Sequence, residues 1–149
     1  MDQQLVARTR GDAATLLSRD DMDRFDGTTL PWLVDLFNGM DHSDPHALTG
    51  TMHDDVVFRW GSVPDIRGKD QVHAMFEDFF TKVTKMRHRI LQTYDLGETV
   101  CLQGEVAFEL VSGEQLYCDF ADVFTLRDGK VAMQIVYIDN TALTEALAG

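Results

Sequence analysis

The chain is poor in cysteine, in proline and in positive charge. Its 149 residues include 2 Cys and 3 Pro, and 13 Lys and Arg stand against 25 Asp and Glu. Cys101 and Cys118 each sit inside a strand-like run, and neither has a CxxC partner. That pattern supports neither a disulfide framework nor a zinc site, and both thiols read as small hydrophobes. A net charge of −12 opposes binding to a phosphate backbone, so no nucleic acid is expected as a partner. The acidity reads as a solubility feature. No apolar run approaches the roughly 20 residues that span a bilayer, so no membrane role is expected. The amino terminus, MDQQLVARTRGD, has no apolar signal core, which predicts a cytoplasmic protein. A Gly-rich phosphate loop is missing. So is a G-x-S-x-G elbow, which disfavours a serine-nucleophile hydrolase. There are no repeats, low-complexity tracts or domain linkers.

What is present suits one folded domain. The hydrophobic fraction is 44%, ordinary for a globular chain, and the length can build one sizeable core. Residues 1–27 read as a polar N-terminal arm, and residues 28–149 as the domain. Within the arm, residues 4–18 could form a short amphipathic helix that Gly11 weakens. Leu30, Leu33, Phe37 and Met40 recur at helical spacing and predict a helix over 29–40, with Pro31 suited to its first turn. Asp44 followed by Pro45 predicts a capped short helix over 45–51. Val56, Phe58 and Trp60 alternate with Val57 and Arg59, as in a strand. Residues 69–84 form the clearest helix, with Val72, Met75, Phe76, Phe79, Phe80 and Val83 in one core-facing stripe. Everything after residue 85 reads as four strands joined by short turns, among them Asp128-Gly129. The order predicts an α+β fold: a curved antiparallel sheet, cystatin-like, wrapped over N-terminal helices around a small-molecule pocket.

Side chains alternate across a strand, so parity sorts the faces. Val100, Leu102, Gly104, Val106, Phe108 and Leu110 share an inward face. So do Met86, His88 and Ile90, and so do Phe120, Asp122 and Phe124. His88 and Asp122 are therefore ionisable groups on apolar faces, where a carboxylate must be paired, protonated or wet. Two such groups on one concave surface lined by Phe58, Trp60 and Phe120 point to a site. Asp41, His42, His46 and His53 are dense in ligand-type residues but match no metal-site spacing, so no metal is expected. The last strand is apolar on both faces. Helices can cover one side, and a second copy packing on the outer sheet face can cover the other. The alternative cover is the N-terminal arm.

The stretches DDVVFRWGSVPDIRGKDQV, FADVFTLRDGKV and VYIDNTAL resemble the nuclear transport factor 2-like superfamily in its SnoaL-like branch, over residues 29–143. That branch includes ketosteroid isomerase, limonene epoxide hydrolase, scytalone dehydratase and polyketide cyclases. The resemblance implies the cone-shaped fold. It places Asp122 where ketosteroid isomerase has its protonated oxyanion-hole aspartic acid, and His88 where scytalone dehydratase has an acid–base histidine. It also exposes departures. Trp60 stands at the isomerase's base carboxylate, and Leu33 near its tyrosine. Gly104, Val106 and Val136 stand at the hydrolase's Asp-Arg-Asp set. Val136 stands again at the cyclase aspartate, and Gly104 near the dehydratase's second histidine.

The leading expectation is an acid–base enzyme of dehydratase, isomerase or cyclase type, acting on a small apolar cyclic molecule without a cofactor. His88 is expected as general acid or base. Asp122 is expected either to orient His88 or to donate a hydrogen bond to a developing oxyanion. Trp32, Phe58, Trp60, Phe76, Phe120, Gln134 and Val136 are the expected substrate-binding residues. Two alternatives stay open: a non-catalytic binder of hydrophobic ligands, and a dimeric structural domain. In the latter, His88 and Asp122 satisfy each other or the backbone, and no cavity reaches them.

Overall fold

The computed structural model describes residues 11–19, 25 and 30–148. Its elements run α1 (Ala13–Leu17), α2 (Pro31–Asp41), α3 (Pro45–Thr49), β1 (Met52–Trp60), β2 (Ile66–Arg67), α4 (Lys69–Lys82), β3 (Val83–Asp95), β4 (Thr99–Leu110), β5 (Gln115–Arg127), β6 (Lys130–Ile138) and α5 (Thr141–Ala148). Helix α2 starts at Pro31, whose missing N–H costs nothing there, and buries Leu33, Leu36, Phe37 and Met40 on one face. The Asp44 side chain accepts from the Ala47 N–H and so starts α3. Helix α4 buries Val72, Phe76 and Phe79, and the chain passes into β3 with no loop between them.

The strands form one six-stranded sheet in the order β2-β1-β6-β5-β4-β3. From β3 to β6 it is the expected antiparallel meander. Register shifts interrupt the pairings of β3 with β4, β5 with β6 and β1 with β6. Such bulges bend strands, which suits a sheet curved around helices. The inward faces of β3, β4 and β5 enclose the core with α2 and α4, and Phe58, Phe108 and Phe124 are fully buried there.

Four features differ from the sequence reading. First, β1 pairs parallel to β6, with Phe58 opposite Gln134 and Trp60 opposite Val136. The sheet is therefore mixed, because the chain crosses over through β2 and α4 before the meander begins. Second, the loop after β1 contains β2, which pairs Val57 with Arg67 and Phe58 with Ile66. Two residues are too few for alternation to register. Third, residues 141–148 form α5, whose Leu143 is buried in the core. Fourth, α1 is shorter than the expected segment: it begins after Gly11 at an Asp12 cap, and residues 4–10 lie outside the described residues.

The arm, where described, does not cover the last strand. Leu16 and Leu17 of α1 pack with Ala107 of β4 on the outer face, and Phe25 makes a lone parallel bridge to Ile90 of β3. Strand β6 keeps Met133 and Ile135 half-buried and Tyr137 57% exposed.

Candidate functional site

His88 faces inward from β3, the edge strand of the sheet. An edge strand presents unpaired backbone N–H groups, and here α2 supplies the acceptor. Asp41, the last residue of α2, takes the His88 backbone N–H at 2.9 Å through one carboxylate oxygen. Its other oxygen lies 2.6 Å from His88 Nδ1. Both side chains are buried. This pair of contacts sets the imidazole's direction and places a proton on Nδ1, which leaves Nε2 as the nitrogen that can exchange one. Among the described residues, no protein group is bonded to Nε2. Two rings hold the imidazole from its sides: Phe37 at 4.8 Å and Phe120 at 5.4 Å, both edge-on.

A carboxylate at a helix C-terminus stands against the helix dipole. Arg87, on the opposite parity of β3, offsets this by donating to the Asp41 carbonyl at 3.3 Å. Phe120 reaches its place because its partner across the ladder is Gly104. A Cβ on Gly104 would sit 2.9 Å from the Phe120 ring and 2.6 Å from the Arg89 carbonyl.

Asp122 lies inward on β5 and is 1% exposed; Gln134, on β6, is 0% exposed. Gln134 Nε2 donates to Asp122 Oδ2 at 3.3 Å. Burial pushes the Asp122 carboxyl up to about 8, against a smaller downward pull from Gln134. At neutral pH Asp122 is therefore a neutral hydrogen-bond donor. Its Oδ1 and Gln134 Oε1 are buried with no partner among the described residues.

One cavity of about 50 Å³ touches His88, Asp122 and Gln134 together. Phe58, Trp60, Phe76, Phe120 and Val136 also line it, so this cavity gathers every expected site residue except Trp32. Trp32 instead packs edge-on against Phe124 at 5.1 Å, on the core side of α2. Its position one residue before Leu33 turns it away from the stripe that faces the cavity. Met40, Met75 and Met86 add flexible walls, which can yield to a ligand larger than the resting space. His88 and Asp122 are the only ionisable side chains among the described residues lining the cavity.

Two expectations are corrected here. Asp122 does not orient His88; Asp41 does, and Asp122 bonds Gln134. The purely structural reading required that no cavity reach either side chain, and one cavity reaches both. In the sequence, Asp41 is obscured by the nearby histidines, which go elsewhere. His53 bonds the Arg127 carbonyl and His46 meets His73 edge-on. A signal for Asp41 is nonetheless present: it continues the four-residue spacing of Leu33 and Phe37, a carboxylate on an apolar helical face.

Solved structures share this fold. An NTF2-like protein of unknown function from Burkholderia pseudomallei K96243 superposes with a TM-score of 0.71 at 15% identity, covering 79% of this chain and 95% of that one. A Mycobacterium tuberculosis epoxide hydrolase of the LEH-like kind gives 0.68 at 17% identity, over 80% and 88%. A protein with a ketosteroid isomerase-like fold from Catenulispora acidiphila DSM 44928 gives 0.68 at 13%, over 74% and 86%. No curated protein matches the chain significantly. The family comparison matches residues 33–134, which carry α2 through Gln134 and hence most of the cavity wall, and on that match the chain belongs to the SnoaL-like domain family.

Proposed function

We propose that this domain is an acid–base enzyme of isomerase, dehydratase or cyclase type that moves a proton on a neutral, largely apolar, cyclic substrate. The observation that carries this reading is the buried Asp41–His88 pair, with an imidazole nitrogen left to serve the same cavity that holds Asp122. His88 Nε2 takes a proton from carbon beside a substrate carbonyl. Asp41 holds the ring and stabilises the imidazolium that forms. Asp122 donates a hydrogen bond to the oxygen on which negative charge develops. Nε2 then returns the proton, either to another carbon or to a departing hydroxyl. The aromatic and methionine walls exclude water and hold the ring by apolar burial.

The test needs no knowledge of the natural substrate. The protein is expected to catalyse exchange of deuterium from heavy water into the α positions of cyclohexanone, followed by NMR. His88→Ala should lower that rate at least about a hundredfold, within the usual range for general acid–base catalysis. Asp41→Asn should lower it by a similar factor while keeping the fold. Exchange that proceeds equally in wild type and His88→Ala would remove the proposal. The non-catalytic ligand-binding reading predicts that outcome.

A further inference from the structure

We infer that Asp122 and Gln134 form one neutral donor–acceptor anchor for a ligand carrying a hydroxyl and a carbonyl on adjacent carbons of an uncharged ring. The inference rests on the proposed reading of the cavity as a substrate site and names what that substrate presents. It starts from two orphaned atoms, Asp122 Oδ1 and Gln134 Oε1, both buried on walls of the same cavity. Orphaned buried polar atoms are costly, and a pair of them on neighbouring strands is one place where a ligand can satisfy both at once.

The two atoms are not equivalent. A protonated carboxyl has one O–H and one carbonyl oxygen, and an amide has N–H donors and one carbonyl oxygen. Gln134 Nε2 already donates to Asp122 Oδ2. That leaves an O–H on Oδ1 as an unused donor and Gln134 Oε1 as an unused acceptor. If the amide is turned over, Asp122 donates to Gln134, and the unused pair becomes the amide N–H and Oδ1. The residues exchange roles, but one donor and one acceptor remain in either case. The matching ligand group therefore offers one acceptor and one donor side by side.

Charge narrows the class. No Lys or Arg is among the described residues lining the cavity, and His88 is already paired with the Asp41 carboxylate, so a carboxylate would enter with no free counter-ion beside a group that burial already keeps neutral. A lactam presents the same pair of hydrogen-bonding groups. A hydroxycarbonyl also has an acidic α carbon for His88 to deprotonate, which favours it.

The experiment is calorimetric titration of the full chain with four probes: 2-hydroxycyclohexanone, cyclohexanone, cyclohexanol and cyclohexanecarboxylate. The hydroxyketone should bind at least about tenfold more tightly than either monofunctional ring, and the carboxylate should be the weakest of the four. Gln134→Met keeps side-chain volume and should bring the hydroxyketone-to-ketone ratio below about threefold. Asp122→Asn should retain the preference, because two neighbouring amides still leave one donor and one acceptor. If Gln134→Met fails to fold by circular dichroism, Asp122→Leu should abolish the preference in its place. A ratio near one in wild type, a ratio that survives Gln134→Met, or tight binding of the carboxylate would overturn the inference. Failure of deuterium exchange with this binding pattern intact would overturn the proton-transfer reading alone. The reverse result would overturn the anchor alone.

Discussion

Asp122 is the residue where the site meets stability. Its carboxyl is raised from 3.8 to about 8, chiefly by burial. The unfolded chain releases that proton near pH 4, whereas the folded chain holds it to about pH 8. Between those values the unfolded state binds fewer protons, so stability falls as pH rises and levels off above about 8. At pH 7 the cost of retaining the proton is on the order of 4 kcal/mol. Asp122→Asn removes this dependence. Thermal melts should show the variant close to wild type at about pH 4 and clearly more stable at about pH 8. A melting difference that does not change with pH would mean that Asp122 is solvated or paired in the folded state. Asp41, the other buried carboxylate of the site, has a different environment: His88 supplies two donors to it.

Single elements show why close approach matters more than propensity here. Gly104 lets the Phe120 ring lie across β4 and lets β3 pass beside it, since a Cβ there would meet the Arg89 carbonyl at 2.6 Å. That obstacle is backbone, so the strand itself must shift. Gly104→Ala should therefore cost about 1–3 kcal/mol in urea unfolding. It should also move Phe120 against the His88 ring and weaken any cavity ligand. Gly39 plays the matching part between helices, where an added Cβ would lie 2.6 Å from the Leu48 backbone nitrogen. It holds α3 against the end of α2, close to Asp41. The elements themselves are largely legible in the sequence: α4 and β3–β5 carry clear periodicities, β6 follows the Asp128-Gly129 turn, and parity places Val100, Leu102, Val106 and Phe108 inside, where they are buried. Helix α5 escapes such reading because its eight residues carry one buried side chain, Leu143, too short a stripe to show a period.

At the scale of the molecule, no helix among the described residues packs over the outer face of β6, where Tyr137 is exposed. Val123 lies opposite Ile135, and Ala121 opposite exposed Tyr137. Helix α1 covers β4 instead. We propose, as the two-faced apolarity of β6 suggests, that a second copy packs on this surface. Sedimentation equilibrium should return a dimer mass, and Ile135→Lys should return a monomer with the cavity intact. A wild-type monomer at micromolar concentration would refute the dimer. Among the described residues, no helix is long and apolar enough to cross a membrane.

The alternation and helical spacing written into the chain determined the α+β class, the inward faces and the placement of two ionisable groups among apolar neighbours. These are local properties, set by where successive side chains point. Tertiary structure alone decided which partner each group received. The chain's crossover put β1 beside β6, so that Phe58 and Trp60 met Gln134 and Val136. It also brought the end of α2 against the edge of β3, so that Asp41, 47 positions away, reached His88. Partnership of that kind depends on distances between remote segments, which periodicity does not encode.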